Sequence, residues 1–304
     1  MKTIAMVNQK GGCGKTTTAI NTSAALAEMG KRVLLIDLDP QAHATIGLGL
    51  DPNSFSRTVY DVLTRPNTGF RDVAVGTRIN RLNLAPCNVL LASAELELAG
   101  APGKELLLAR GLRDVRDAYD LCVIDCPPAL GVLTLNALVS STDIIVPVQV
   151  HYYALEGLRR LLETVAIIRQ RFHPCSMENI GLLLTFVEER TTFSRQVQQQ
   201  LREIFGDLVF DTVIHRNVRL AEAPSAGEPV VTYAAQSKGA ADYRALAAEV
   251  LQTAPPAIEP AEVRMRRGIQ KQLSEIFHGV WIPPKRPQPP KPADPLRPHS
   301  IEST

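Results

Sequence analysis

The amino-acid sequence predicts an α/β fold built on a doubly wound, mostly parallel sheet. Three observations lead there. Over residues 1–252, short β-branched runs alternate with longer helical patterns, as repeated strand–helix units require. Several of those runs are continuously apolar, without the alternation of a half-exposed strand, which marks a sheet buried on both faces. A glycine-rich turn also separates the first strand from the first helix, the place where such sheets hold ligands.

In chain order, the strands are expected at 3–8, 32–37, 82–85, 121–125, 143–148, 179–186 and 212–214. The helices are expected between and after them, at 15–29, 58–64, 104–118, 131–140, 154–172, 192–205 and 240–252. No internal repeat interrupts the alternation. After residue 252 the composition changes: half of the 22 prolines fall in 253–304. The chain therefore divides into an α/β domain at 1–252 and a proline-rich C-terminal extension, 253–304, expected to be largely disordered. The extension holds one amphipathic helix candidate at 262–281.

Composition narrows the function classes. At 304 residues the chain can bury a full core, and 45% hydrophobic with 21% charged residues is the balance of a soluble globular protein. A net charge of +2 is too mild to argue for nucleic acid, so any basic surface must be local. No apolar run reaches the ~18 residues of a membrane span, and the N-terminus has no secretion-signal pattern. The five cysteines are scattered without CxxC spacing, which points away from a metal site and toward a reducing, cytoplasmic setting.

The most informative segment is Asn8-Gln9-Lys10-Gly11-Gly12-Cys13-Gly14-Lys15-Thr16-Thr17, between the first strand and the first helix. Backbone N–H groups and the positive helix end converge there on an anion. The glycines admit close approach, Lys15 supplies a point charge to phosphate oxygens, and the Thr16 hydroxyl faces Mg2+. The ordinary P-loop pattern needs glycine where Gln9 stands; what matches is the variant K-G-G-x-G-K-[ST], with an extra lysine at position 10.

With that variant the sequence resembles the ParA/MinD superfamily of deviant Walker A P-loop ATPases, and within it the ParA/Soj branch. The resemblance implies ATP and Mg2+ as ligands, bound along residues 10–17. It also implies a nucleotide-sandwich dimer in which Lys10 reaches the partner's phosphates. Two further segments extend it. Asp37-Leu38-Asp39-Pro40-Gln41 ends an apolar strand in carboxylates at i and i+2, which face the same way on a strand. The family pattern gives Asp39 the water-positioning role and Asp37 a structural or metal-shell role, while a plain helix cap is the alternative for Asp39. Leu121-Cys122-Val123-Ile124-Asp125-Cys126-Pro127-Pro128 resembles the family's Walker B strand, with Asp125 toward Mg2+.

Tyr152-Tyr153-Ala154-Leu155-Glu156-Gly157 and the run from Val213 to Ser225 also match the branch. In relatives a Pro-Arg-Asn loop borders the adenine; here Asn217 keeps its place and His215 replaces the proline, either to stack on the base or to be solvated. The branch implies nonspecific binding of double-stranded DNA through Arg190, Arg219 and Lys238, with Arg195 a further cation nearby. It also implies activation of slow hydrolysis by a ParB-like partner, a cytoplasmic, nucleoid-associated location and a role in chromosome or plasmid segregation. The segment 185–191 departs from the branch by an extra acid, Glu189, beside Arg190. Three other readings stand beside this one. A MinD-like ATPase would use the 262–281 helix on a membrane, where self-packing and partner docking are the other readings of that helix. A ParA-type ATPase could position a protein cargo. Reductase or cluster-assembly relatives would need a second suitably placed cysteine.

Overall fold

The computed structural model describes residues 1–150, 154–172 and 177–252. Tyr152, Tyr153 and the expected tail helix at 262–281 lie outside those residues. The chain runs β1 (Lys2–Met6), α1 (Lys15–Glu28), β2 (Val33–Asp37), α2 (His43–Gly47), α3 (Val59–Thr64), β3 (Val75–Gly76), β4 (Leu82–Ala85), α4 (Leu91–Glu97) and α5 (Leu107–Gly111). It continues with β5 (Leu121–Asp125), α6 (Val132–Ser140), β6 (Asp143–Gln149), α7 (Ala154–Arg171), β7 (Asn179–Val187), α8 (Thr192–Phe205), β8 (Val209–His215), α9 (Val218–Glu222), α10 (Val230–Tyr233) and α11 (Lys238–Gln252).

These strands form a single eight-stranded sheet in the order β3-β4-β2-β5-β1-β6-β7-β8. Every pairing is parallel except β3 with β4. Strand order reverses at β1, which lies between β5 and β6, so the ligand crevice is expected beyond the carboxyl end of β1. The reason for the continuous apolar runs is plain: every residue of β2 and β5 is buried. The core packs α1, rich in alanine and small polar residues, against these strands and against Tyr243, Leu246, Ala247 and Val250 of α11.

Expected and observed elements differ most at 104–118. A continuous helix was expected; the structure has a single α-helical turn at Leu107–Gly111 flanked by 3-10 turns. The cause is tertiary. Asn136 of α6 accepts the Leu108 N–H at 3.0 Å and donates its amide to the Lys104 carbonyl at 2.7 Å, taking both ends of what would be an i→i−4 helical bond. The sequence reading also lacked β3, α2, α4, α9 and α10, all of seven residues or fewer.

Candidate active site

Beyond Met6 the chain turns out of the sheet and enters α1 at Lys15. Gly14, the N-cap, has φ 93°, and Gly12 has φ 70°, a left-handed conformation that costs glycine nothing in Cβ contacts. The first N–H groups of α1 thus open onto the loop.

The loop is anchored from two strands. Asn8 donates its side-chain amide to the Pro147 carbonyl of β6 at 2.7 Å and accepts the Lys10 N–H at 3.0 Å. The buried Thr185 hydroxyl of β7 donates to the Cys13 carbonyl at 2.9 Å. The Cys13 thiol lies 3.2 Å from the Lys10 carbonyl, and burial pushes its titration upward, so it acts as packing rather than as a nucleophile. Lys15 is buried and donates Nζ to the Lys10 carbonyl at 3.3 Å, which holds its ammonium inside the loop. Lys10 is exposed, with its Nζ on the neutral Gln149 Oε1 at 3.0 Å.

The acidic residues split in role. Asp37 and Asp125 end adjacent strands in register. Asp37 accepts the Thr45 N–H at 2.8 Å and the Thr45 hydroxyl at 2.7 Å on Oδ2, and the Asp39 N–H at 3.3 Å on Oδ1. It therefore satisfies the first turn of α2, the capping duty that the alternative reading had assigned to Asp39. Asp39 is nearly buried; its Oδ1 accepts the Gln41 N–H at 3.0 Å, and its carbonyl accepts the Cys87 thiol at 2.8 Å.

Asp125 is wholly buried, and neither carboxylate oxygen has a hydrogen-bond partner among the described residues. Burial first, and then the charge of Asp37, raise the Asp125 carboxyl well above its ordinary range; the nearby Thr16 hydroxyl and Lys15 oppose this. Burial also raises Asp37, to about 6, against the pull of its Thr45 bonds. A buried carboxylate with no formed hydrogen bond, only the Thr16 hydroxyl and Lys15 nearby and a second carboxylate beside it, is short of positive charge, and a hard divalent cation with oxygen ligands fits that deficit. Among the described residues no group of three or more His, Cys, Asp or Glu could hold a metal ion alone. Such a donor set suits Mg2+, which is commonly held by one or two carboxylates together with substrate phosphates.

The opposite end of the same edge carries His215, Asn217 and the candidate DNA cations. Asn217 is the N-cap of α9, and its Oδ1 accepts the Arg219 N–H at 2.8 Å. His215 is not a solvated ring. Its side chain is 15% exposed, with Nδ1 2.9 Å from Asp242 of α11 and Nε2 2.7 Å from Glu189. Arg190 is exposed and makes no ion pair or hydrogen bond through its side chain among the described residues, and the same holds for Arg195. Arg219 pairs with Glu222 at 2.8 Å, and Lys238 with Asp242 at 3.4 Å. Asp242, Thr45, Thr185 and Gln149 are residues of this edge that the sequence alone did not single out.

A family profile described as an AAA domain matches residues 1–177. The sporulation initiation inhibitor protein Soj of Bacillus subtilis is 46% identical over 249 residues, 82% of this chain and 98% of Soj. The chain belongs to the ParA/Soj branch of the ParA/MinD ATPases. A second Soj, the chromosome-partitioning ATPase of Thermus thermophilus, is 48% identical over 83% of this chain and 96% of its own length. Among solved structures, cobyrinic acid a,c-diamide synthase from Mycobacterium smegmatis, holding an ATP analogue and magnesium, matches with a TM-score of 0.73 and 36% identity, over 83% of this chain and 95% of that one. The different activity in that protein's name illustrates that this fold hosts more than one chemistry. The identity of this chain to the two Soj proteins is higher than its identity to the synthase, in keeping with the ParA/Soj assignment. No helix among its described residues is long and apolar enough to cross a membrane.

Proposed function

We propose that this chain is a DNA-segregation switch that binds ATP with Mg2+, closes into a nucleotide-sandwich dimer and holds duplex DNA without sequence preference. Its hydrolysis is slow until a ParB-like partner acts. The observation that carries the ATP and Mg2+ part of this reading is Asp125, a buried carboxylate with no hydrogen-bond partner among the described residues, beside a phosphate loop whose Lys15 already points inward. The DNA and dimer part rests on the similarity to the two Soj proteins.

In this reading the loop backbone and Lys15 bind the phosphates, and Thr16 and Asp125 hold the metal. Mg2+, when bound, supplies positive charge against the phosphate oxygens. Asp37, committed to α2, fixes the height of the Asp39 segment, and Asp39 orients the attacking water. Among the described residues no strong general base stands in the site, so positioning and charge carry the rate, and a partner that completes the site accelerates it by about 10³–10⁵-fold. Lys10 rests on a neutral amide that it can leave at small cost. The γ-phosphate of a second copy's ATP is a stronger, charged acceptor, and ADP offers none. Asn217 borders the base, with Arg190, Arg219 and Lys238 facing DNA. The protein acts at the nucleoid.

The deciding measurement is co-sedimentation with duplex DNA and with anionic liposomes, under ATP, ADP and no nucleotide. Salt-sensitive, ATP-dependent binding to DNA alone is expected, with log affinity falling by about 0.9 per neutralised phosphate for each decade of salt. ATP-dependent binding to liposomes instead would replace this reading with a MinD-like one.

A further inference from the structure

Two departures from the branch pattern, Glu189 and His215, lie 26 residues apart in sequence and touch in the fold. His215 Nε2 is 2.7 Å from Glu189 Oε1. On its other side, both Nδ1 and the backbone N–H of His215 lie 2.9 Å from Asp242 Oδ2, and the other Asp242 oxygen pairs with Lys238 at 3.4 Å. A second pair runs alongside: Arg216 Nη1 meets Glu188 Oε1 at 2.7 Å, and the Arg216 N–H donates to the Val187 carbonyl at 3.0 Å. Carboxylates only accept, so the ring form that satisfies both neighbours is the imidazolium, which donates from both nitrogens. Proline, the residue of the branch pattern, has neither this ring nor a backbone N–H to give Asp242.

The imidazole therefore joins three segments: the turn after β7 that carries Arg190, the end of β8 that leads to Arg219, and, through Asp242, the N-terminal part of α11, which begins at Lys238. We propose that His215 is a positioning residue of the DNA-facing wall, which neutralises Glu189 and ties the turn bearing Arg190 to the helix bearing Lys238. The proposal rests on the DNA-binding reading above. Without the ring, Glu189 presents an uncompensated negative charge beside Arg190, and duplex DNA meets a weaker field.

The test uses the full chain as wild type, His215→Ala, Glu189→Gln and the double variant. Affinity for a short random-sequence duplex is read by anisotropy in Mg2+ with ATP, beside thermal melting. His215→Ala should weaken DNA binding roughly two- to fivefold, the worth of one exposed ion pair. Glu189→Gln should tighten binding, and the double variant should return to within about twofold of wild type. Its melting temperature should stay lowered, because Asp242 has still lost the ring. A role in folding alone would make DNA affinity follow the melting temperature instead. If His215→Ala does not fold, His215→Gln keeps a donor and removes the charge, and the same weakening is expected. An unchanged DNA affinity in these His215 variants, or a double variant as weak as His215→Ala, overturns the proposal. Wild type that binds no DNA in any nucleotide state overturns the DNA-binding reading itself, and the proposal with it.

Discussion

The two ends of the sheet's carboxyl edge handle charge in opposite ways. Around β2 and β5, Asp37 is saturated by protein donors while Asp125 is buried with none. Where β7, β8 and the start of α11 meet, four carboxylates each have a side-chain partner: Glu188 with Arg216, Glu189 with His215, Asp242 with Lys238 and Glu222 with Arg219. A buried, uncompensated charge is expensive and makes sense only with a ligand that completes it. Compensated pairs at a surface each contribute little to stability and mainly set what the surface presents to a partner. The first end demands a ligand that completes its charge; the second has its charges already matched within the chain.

The largest effect is expected at the loop. Lys15→Ala removes the one ammonium inside it, and ATP hydrolysis should fall about 10²–10³-fold, as on loss of a transition-state donor. Steady-state phosphate release checks this; near-normal turnover would mean that Lys15 is not at the phosphates. Lys10→Ala comes next and separates the two lysines. It should leave ATP binding by the monomer intact while ATP-driven dimerisation disappears in sedimentation. A dimer that persists would leave Lys10 as a residue resting on Gln149.

Asp125→Asn should have opposite effects on stability and function. Replacing the buried acid by an amide, which has no charge to desolvate or neutralise, should stabilise the nucleotide-free protein by about 1–3 kcal/mol at neutral pH while abolishing its Mg2+-dependent hydrolysis. The pH dependence has a definite sign. Both carboxyls titrate above the ordinary 3.8 in the folded chain, so the folded state keeps protons that the unfolded chain has lost. Their contribution to stability is therefore full at low pH and is lost as pH rises, for Asp37 between about 4 and about 6. Asp125→Asn should flatten that decline in thermal melts across pH, and Mg2+ with nucleotide should do the same for wild type. An unaltered slope in the variant would mean that Asp125 is already compensated.

The smallest effect belongs to the anchor between the two ends. Thr185→Val leaves the Cys13 carbonyl without its hydroxyl donor. The cost should be about 1 kcal/mol, read as a roughly fivefold weaker affinity for ATP in titrations at fixed Mg2+.

Legibility in the sequence followed the range of the interaction. The loop at 10–17 could be read because its chemistry is local: glycines set the backbone, and the loop, helix start and Lys15 are consecutive. The expected boundaries 82–85, 121–125 and 192–205 match β4, β5 and α8. The short helices α2, α4, α9 and α10 and the strand β3 were not legible, because elements this brief are held mainly by packing rather than by propensity. The break at Leu107–Gly111 needed Asn136, 28 residues further on. Thr185 gives no local sign that it will meet Cys13 across 172 positions.

By itself, then, the sequence determined the doubly wound parallel architecture, the phosphate loop and which strands end in carboxylates, since these depend on neighbouring residues and strand periodicity. Only the tertiary structure decided which carboxylate is left without a donor and which helix yields to a neighbouring amide. It also decided that His215 and Glu189 meet. Those outcomes turn on burial and on partners brought together by chain closure, and neither is written in any single stretch of residues.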